Sequence, residues 1–134
     1  MTSNQSHQAL VFGSISIDKI INKYGTYNDV LGGSASYALL ATKSKECQLV
    51  GMVGSDFPKN HFSLLGNHSI NLDDLKIEEG KTFTWGGEYV HDFSSRKTLY
   101  VDPGVSEKFK PILSKNSRQC KYLLLGNTHP KLQL

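Results

Sequence analysis

Asp18 is the residue of this chain best placed to bind a polar ligand. It follows a nearly continuous apolar run, Ala9 to Ser14, that predicts a strand buried on both faces, and the glycine turn at Gly13 brings the backbone close to it. A carboxylate accepts paired hydrogen bonds from vicinal hydroxyl groups, as a sugar or a ribose presents them. The position makes Asp18 a candidate ligand-binding residue, and the alternative interpretation is an exposed aspartate in a loop.

A di-glycine, Gly32-Gly33, opens the segment with the clearest helix pattern, which runs from Gly33 to Lys45. Two glycines before a helix permit positive φ and close approach of a ligand to the backbone, although an ordinary helix-start turn would use them too. Ser34 is a candidate cap for this helix. The apolar side chains expected on one of its faces are Tyr37, Leu40 and Ala41.

Two further positions lie on predicted strands or at their ends. Trp85 alternates with Phe83 and Tyr89, which favours packing on a strand but also allows Trp85 to cover the apolar face of a ligand. Asn127 follows the apolar run Tyr122 to Leu125. Ligands bind at the carboxyl ends of parallel strands, so an amide at this position could hydrogen-bond a hydroxyl group.

Other motifs point to structure rather than chemistry. Gly51, Gly54 and Asp56 lack the dinucleotide-binding order of glycines and predict a tight turn, with Asp56 capping the helix that Pro58 begins. The five histidines and two cysteines show no metal-ligand spacing, and no nucleophile elbow is present. We therefore expect no metal site and assign no catalytic residue.

Composition favours one globular domain. The chain has 134 residues, of which 38% are hydrophobic and 20% charged, and its net charge of +3 is scattered, which argues against nucleic-acid binding. No apolar run reaches the length of a membrane span, and the polar start, Met1 to Gln8, carries no secretory signal. A cytoplasmic location is expected, with Cys47 and Cys120 as buried free thiols.

The order of patterns predicts an α/β fold. Ala9–Ser14, Gly33–Lys45, Cys47–Val53 and Phe57–Asn67 alternate strand and helix, as a parallel sheet with right-handed crossovers requires. Ile15 to Ile21 could extend the first strand or branch from it. Segments expected to be turns or loops are Tyr24–Val30 and Ile70–Glu79, and Pro111–Leu113 is expected to be a short helical or loop piece. Alternation over Thr82–Val90 and Thr98–Val101 predicts a small antiparallel sheet.

The last apolar run, Tyr122 to Leu125, predicts a third buried strand, and Pro130 to Leu134 the opening of a helix. Nine trailing residues cannot cover such a strand, so a lone chain would expose strand edges and apolar surface. We therefore expect a fragment, a truncated product or half of an assembly.

Three motifs in this order resemble the N-terminal part of the ribokinase-like (PfkB) family of sugar and nucleoside kinases. They are Gly13-Ser14-Ile15-Ser16-Ile17-Asp18, Gly32-Gly33 with the following Ser34-Ala35-Ser36-Tyr37, and Gly51-Met52-Val53-Gly54-Ser55-Asp56. The resemblance covers residues 9 to 134 and implies a ribokinase-like parallel sheet flanked by helices, with a small antiparallel lid whose strands lie within about 15–30 and 81–101. Residues 1 to 8 are expected to be a disordered N-terminus.

The resemblance also implies roles for individual residues. Substrate binding falls on Asp18, Gly32, Gly33, Ser34, Tyr37, Trp85 and Asn127, with Tyr37 near the position where the family commonly has an asparagine. The family's Gly-x-Gly-Asp motif, which carries the general base, is absent from these residues. The intact enzyme would use ATP and Mg²⁺, whereas this chain alone would bind neither and would not catalyse the transfer.

Three functions follow from these observations. The chain could be the acceptor-binding and lid part of an ATP-dependent kinase for a sugar or nucleoside hydroxyl. It could instead be a non-catalytic module that binds a sugar or nucleoside. It could also dimerise through the lid. Nucleic-acid and membrane partners are not expected.

Overall fold

The computed structural model describes residues 8–42 and 45–134, so most of the predicted disordered segment, residues 1–7, lies outside the described residues. Along the chain the strands are β1 (Ala9–Phe12), β2 (Ser16–Asn22), β3 (Gly25–Gly32), β4 (Cys47–Gly54), β5 (Leu75–Glu78), β6 (Thr84–Val90), β7 (Ser95–Asp102) and β8 (Tyr122–Leu125). The α-helices are α1 (Ser34–Leu40), α2 (Lys59–His68), α3 (Lys115–Arg118) and α4 (Pro130–Gln133), and a 3-10 helix spans Gly104–Lys108.

A parallel sheet of four strands in the order β5-β4-β1-β8, the central sheet, forms the core of the fold. All eight residues of β4 are buried because this strand has a neighbour on each edge and cover on both faces. On one face Leu49 and Val53 pack with Leu39 of α1 and Leu65 of α2. The opposite face is covered from the C-terminal side of the chain by Val105 and Phe109.

The other four strands form a separate sheet in the order β3-β2-β6-β7, the small sheet. Its outer pairs are antiparallel, as predicted, but β2 and β6 run parallel, so the sheet is mixed. The segment predicted either to extend the first strand or to branch from it therefore branches: β2 begins at Ser16 and belongs to the second sheet. The predicted turn at Tyr24–Val30 was wrong, because β3 occupies it; its polar composition reflects an exposed edge strand.

Helix α1 is shorter than predicted, and it buries a different face from the predicted one. It ends at Leu40, its N-cap is Gly33, and its buried residues are Ala35, Ser36 and Leu39, while Tyr37 is 59% exposed. The predicted cap at Ser34 and the predicted apolar face were therefore wrong. Ser34 is the first residue of the helix, and its hydroxyl group accepts from the backbone N–H groups of Ser14 and Asn127 instead of capping α1. Part of the predicted C-terminal extension, residues 43 and 44, lies outside the described residues.

Two other segments also differ from their predicted state. Residues 75–78, predicted as loop, form β5 and pair with β4, because pairing with a buried neighbour outweighs their acidic composition. Strand β8 exists as predicted but is not buried: its four residues are 47–57% exposed, since it pairs with β1 alone among the described strands. Residues 111–113 are irregular, and α4 begins at Pro130 as predicted.

Both cysteines, which lie within the described residues, are free thiols, with Cys47 buried and Cys120 half-buried. Burial raises the pKa of each thiol. Within residues 8–42 and 45–134, none of the helices has the length and apolar character that crossing a bilayer requires.

Candidate functional site

The site is built around Ser34, at the start of α1, where three segments meet. The Ser34 Oγ accepts hydrogen bonds from the backbone N–H of Ser14 at 3.2 Å and from that of Asn127 at 2.8 Å. In return, the Ser34 N–H donates to the Ser14 Oγ at 3.0 Å. The loop after β1, the loop after β8 and the first turn of α1 are thereby held together at the carboxyl edge of the central sheet.

Glycines let these segments approach so closely. A Cβ at Gly13 or Gly126 would overlap the Ser34 Oγ. Gly33 has φ of +98°, and a Cβ there would collide with the Ser14 carbonyl, whose oxygen accepts from Ala35 N–H at 3.0 Å. The second glycine of the predicted pair is thus required by backbone conformation and by space.

Asp18 lies on β2, directly beside the first glycine of the pair. A Cβ at Gly32 would overlap the Asp18 carboxylate. The Ser16 hydroxyl donates to Oδ1 at 2.7 Å, while among the described residues no group donates to Oδ2. Burial raises the pKa of Asp18, and the bond from Ser16 partly offsets that rise. The carboxylate therefore keeps acceptor capacity for a ligand at the di-glycine.

Trp85 lies on the same face of the small sheet as Asp18, because the two residues are register partners in β6 and β2. The indole ring does not lean toward the carboxylate. It lies over Gly87, where a Cβ would overlap the ring, and Arg96 places its guanidinium 5.1 Å from the ring centroid. Trp85 is half-buried in this position, and its ring lies further along the small sheet than the Asp18 carboxylate, which lies against Gly32.

Tyr37 and Asn127 complete the predicted set. The Tyr37 hydroxyl donates to the Leu31 carbonyl at 3.2 Å, so its exposed ring borders the di-glycine from the helix side. Asn127 is tied to the site through its backbone, by the bond to Ser34. The structure therefore brings Asp18, Gly32, Gly33, Ser34 and Asn127 to one edge, with Tyr37 and Trp85 at its borders.

Asp56 does not cap α2, contrary to the sequence prediction. Its Oδ1 accepts from both the backbone N–H and the hydroxyl of Thr82, each at 2.7 Å, and the Thr82 Oγ1 accepts from Gly54 N–H at 2.9 Å. Pro58 is the N-cap residue of α2. The glycine turn after β4 is structural, as predicted, but it anchors the segment entering β6 rather than a helix.

Sequence reasoning missed three site residues: Ser14, Ser16 and Arg96. The first two alternate with Asp18 in Ser14-Ile15-Ser16-Ile17-Asp18, which puts their side chains on the same side of an extended backbone. That alternation could have found them. The pairing of Arg96 with Trp85 depends on the β6–β7 register and leaves no local signal.

Over residues 8–42 and 45–134, no group of three or more His, Cys, Asp or Glu side chains is placed to hold a metal ion.

Comparison with solved structures relates this geometry to known proteins. The chain is similar to ribokinase from Cryptococcus neoformans var. grubii serotype A, solved with ADP, at 19% identity and a TM-score of 0.66 over 88% of this chain and 41% of that chain. It is similar to the Methanocaldococcus jannaschii nucleoside kinase, an archaeal member of the ribokinase family, at 19% identity and a TM-score of 0.68 over 93% and 46%.

A third match is Arabidopsis thaliana ribokinase, solved with ribose and ATP, at 16% identity and a TM-score of 0.61 over 88% of this chain and 44% of that chain. This chain has a ribokinase-like fold. The expected parallel sheet, helices and additional small sheet of that fold are confirmed, and the chain spans less than half the length of each of these three proteins. No protein-family model and no curated protein sequence matches it.

Proposed function

We propose that this chain forms the acceptor-binding part of an ATP-dependent kinase that transfers a γ-phosphate to a hydroxyl group of a sugar or nucleoside. The observation that carries the proposal is the half-buried carboxylate of Asp18 beside the Gly32-Gly33 pair, on a ribokinase-like fold. A carboxylate with a free oxygen accepts hydrogen bonds from neighbouring hydroxyl groups, and Gly32 lets this carboxylate lie against the backbone of β3.

In this proposal each residue at the edge of the central sheet has a distinct task. Asp18 accepts from the acceptor's hydroxyl groups, with Ser16 orienting its carboxylate. The backbone of Gly32 and Gly33 contacts the ligand in this proposal, and Ser34 holds the surrounding loops. The Asn127 side-chain amide offers a donor and an acceptor from the opposite side, and Tyr37 borders the ligand.

The small sheet is proposed to be the lid over the acceptor, with Trp85 on the same face of the sheet as Asp18. The strand order supports this proposal, because β2 carries Asp18 and lies between β3 and β6. Trp85 lies on β6, paired with Asp18, so a movement of the small sheet would move both side chains together. Sequestering the acceptor hydroxyl from bulk water favours transfer to the acceptor over hydrolysis.

ATP and Mg²⁺ belong to the complete enzyme in this proposal, and a cytoplasmic location is part of it. Phosphoryl transfer requires groups that position the γ-phosphate and neutralise its charge, and we assign none of these to the present chain. We expect the purified 134-residue chain to release no ADP above background when supplied with acceptor, ATP and Mg²⁺. Acceptor-dependent ADP release would overturn this part of the proposal.

The position of the acceptor can be tested by nuclear magnetic resonance of the 15N-labelled chain. Titration with ribose and with adenosine is expected to shift the backbone amide signals of Gly32, Gly33 and Asn127, whereas Gly66 at the end of α2 serves as the internal control. Equal shifts at Gly66, or shifts confined to residues remote from Asp18, would contradict the proposed site.

A second proposal, dimerisation through the small sheet, rests on the exposed apolar side chains of its edge strands. Tyr27 of β3 is 47% exposed, and Tyr100 and Val101 of β7 are 43% and 57% exposed. Exposed strand edges with apolar side chains favour pairing between copies. We expect Val101→Lys to convert the dimer to monomer in sedimentation-velocity measurements, and a dimer unchanged by this substitution would refute the assignment.

A further inference from the structure

A cavity of about 510 Å³ lies at the base of the small sheet, on the side of the central sheet that the 3-10 helix covers. Its volume falls within the range of roughly 300–1,000 Å³ that is typical of sites for small molecules. Its floor consists of Met52 and Val105, which belong to the apolar cluster on that face of the central sheet. The residues proposed to bind the acceptor, all of which the structure describes, lie outside its lining. The cavity is therefore separate from the Asp18 site.

Two connections between the sheets form one wall of this cavity. Residues 79–83 lead from β5 to β6, and the chain returns from β7 to the 3-10 helix beside them. The Val105 N–H donates to the Lys81 carbonyl at 2.8 Å, and a Cβ at Gly104 would overlap the same carbonyl oxygen. Gly104 has φ of +53° and Gly80 has φ of +131°, conformations that favour glycine. The wall is therefore set by the backbone and does not depend on the rotamers of exposed side chains.

Charged side chains of both signs line this cavity, two lysines and two glutamates: Lys81, Lys108, Glu78 and Glu79. All four are exposed, and within the part of the chain that the structure describes none of them forms an ion pair. A ligand with a single charge would be attracted by one pair of these groups and repelled by the other. A ligand that carries one charge of each sign can pair with both, and the apolar floor favours an apolar group on the same molecule.

We propose that this cavity binds a free amino acid with an apolar side chain, as a site additional to the one proposed for the acceptor. The carboxylate of the amino acid pairs with the two lysines, its ammonium group pairs with the two glutamates, and its side chain contacts Met52 and Val105. A bound amino acid then touches both connections between the sheets. The inference does not depend on kinase activity or on Asp18, because the two sites share no lining residue.

The test uses the 15N-labelled 134-residue chain, with L-leucine as the probe. Titration is expected to shift the backbone amide signals of Gly80 and Gly104 in a saturable way, whereas Gly25, at the start of β3, is the internal control. Two analogues keep the apolar chain of leucine and lack one charge each: 4-methylpentanoate has no ammonium group, and 3-methylbutylamine has no carboxylate. Each is expected to bind at least about threefold more weakly than L-leucine, because it loses one set of ion pairs.

Two substitutions that remove one charge each assign the two ends of the ligand. Lys108→Gln is expected to weaken the binding of L-leucine roughly two- to fivefold, without a matching loss for 3-methylbutylamine, which has no carboxylate. Glu79→Gln is expected to weaken the binding of L-leucine by a similar factor and to spare 4-methylpentanoate. Lys110→Gln and Glu107→Gln are the matched controls, because both residues are exposed and lie outside the cavity lining.

Either analogue binding as tightly as L-leucine would overturn the recognition of a zwitterion. Equal losses from Lys108→Gln and Lys110→Gln would overturn the assigned ion pairs. Absence of shifts at Gly80 and Gly104, in a chain whose amide signals are dispersed as in a folded protein, would overturn the site itself. All three results leave the proposed function standing, because that proposal is tested by the response of Gly32 and Gly33 to ribose and adenosine.

Discussion

At the scale of single residues, Asp18 links ligand binding and stability to pH in opposite directions. Burial raises the pKa of its carboxyl group in the folded chain. The folded chain then holds this proton more tightly than the unfolded chain, whose aspartate pKa is about 3.9. The stabilising contribution of Asp18 is present below that value and is lost as the pH rises through the raised folded-state pKa.

Asp18→Asn is therefore expected to be more stable than the unmodified chain at neutral pH, with the difference vanishing below about pH 4. Urea unfolding across this pH range measures the free energies of unfolding. Asp29→Asn, at an exposed position of β3, is the matched control and is expected to show no such pH-dependent gain. A stability difference that grows as the pH falls would contradict the assigned direction of the pKa shift.

Ligand affinity should follow the opposite course. The ionised carboxylate accepts from two hydroxyl groups, whereas a protonated carboxyl group loses part of that capacity. Binding of adenosine is expected to strengthen as the pH rises through the raised pKa of Asp18 and to reach a plateau above it. Calorimetric titrations at a series of pH values measure this, and an affinity independent of pH across that interval would contradict direct binding by the carboxylate.

A separate prediction concerns Ser34, whose hydroxyl group accepts hydrogen bonds from the backbone N–H groups of two different loops. Ser34→Ala leaves both donors without this acceptor and is expected to lower the free energy of unfolding by about 1–2 kcal/mol. Ser95→Ala, at an exposed position of β7, should change it by less than about 0.5 kcal/mol. Equal losses of stability from the two substitutions in chemical denaturation would show that Ser34 does not hold the two loops together.

At the scale of elements, the short helix α3 depends on a carboxylate distant in sequence. Asp74, which is buried, accepts from the backbone N–H of Ser114 at 3.0 Å, from its hydroxyl at 2.9 Å, and from the hydroxyl of Ser117. A four-residue helix has little stability of its own, so the hydrogen bonds to Asp74 hold α3 in place beside the turn that precedes β5. A carboxylate at the N-terminus of a helix also interacts favourably with the helix macrodipole.

Asp74→Ala is expected to destabilise the chain by about 2–3 kcal/mol, because three donors then lose a charged acceptor. The adjacent Asp73 is exposed, and Asp73→Ala is expected to change stability by less than about 0.5 kcal/mol. Thermal and urea unfolding of both variants measure the difference. Similar losses for the two substitutions would show that α3 does not depend on this anchor.

The elements also show what sequence pattern can and cannot predict. Strands β1 and β4 were predictable because buried parallel strands are continuous apolar runs, and α2 because Pro58 marks its start. Strands β3 and β5 were not, since polar edge strands look like loops until their partners are known. Asp18 and the di-glycine were singled out from spacing. The hydrogen bonds to Ser34 and the contact between Arg96 and Trp85 were not, because they depend on how separate elements pair.

At the scale of the whole molecule, β8 leaves apolar surface uncovered. Leu123, Leu124 and Leu125 are each about half exposed, on a strand whose only partner among the described strands is β1. Exposed apolar strands of this kind associate with other chains. This surface lies on a different sheet from the proposed dimer contact at Val101, so the two can be tested separately.

Leu124→Lys is expected to remove the concentration-dependent association that remains in Val101→Lys, because a charge on β8 opposes strand pairing and burial. Each single variant is expected to associate no further than a dimer, and the double variant to stay monomeric. Sedimentation velocity over a range of concentrations measures all three. A double variant that associates as strongly as either single variant would contradict the two surfaces.

The central claim is that Asp18 binds the hydroxyl groups of an acceptor, and one calorimetric experiment tests it most directly. Adenosine and ribose are titrated at neutral pH into the unmodified chain, Asp18→Asn and Asp29→Asn. The predicted result is binding by the unmodified chain and by Asp29→Asn, with affinity lowered at least about tenfold in Asp18→Asn. Equal affinity in all three proteins, or no binding by the folded unmodified chain, would contradict the claim.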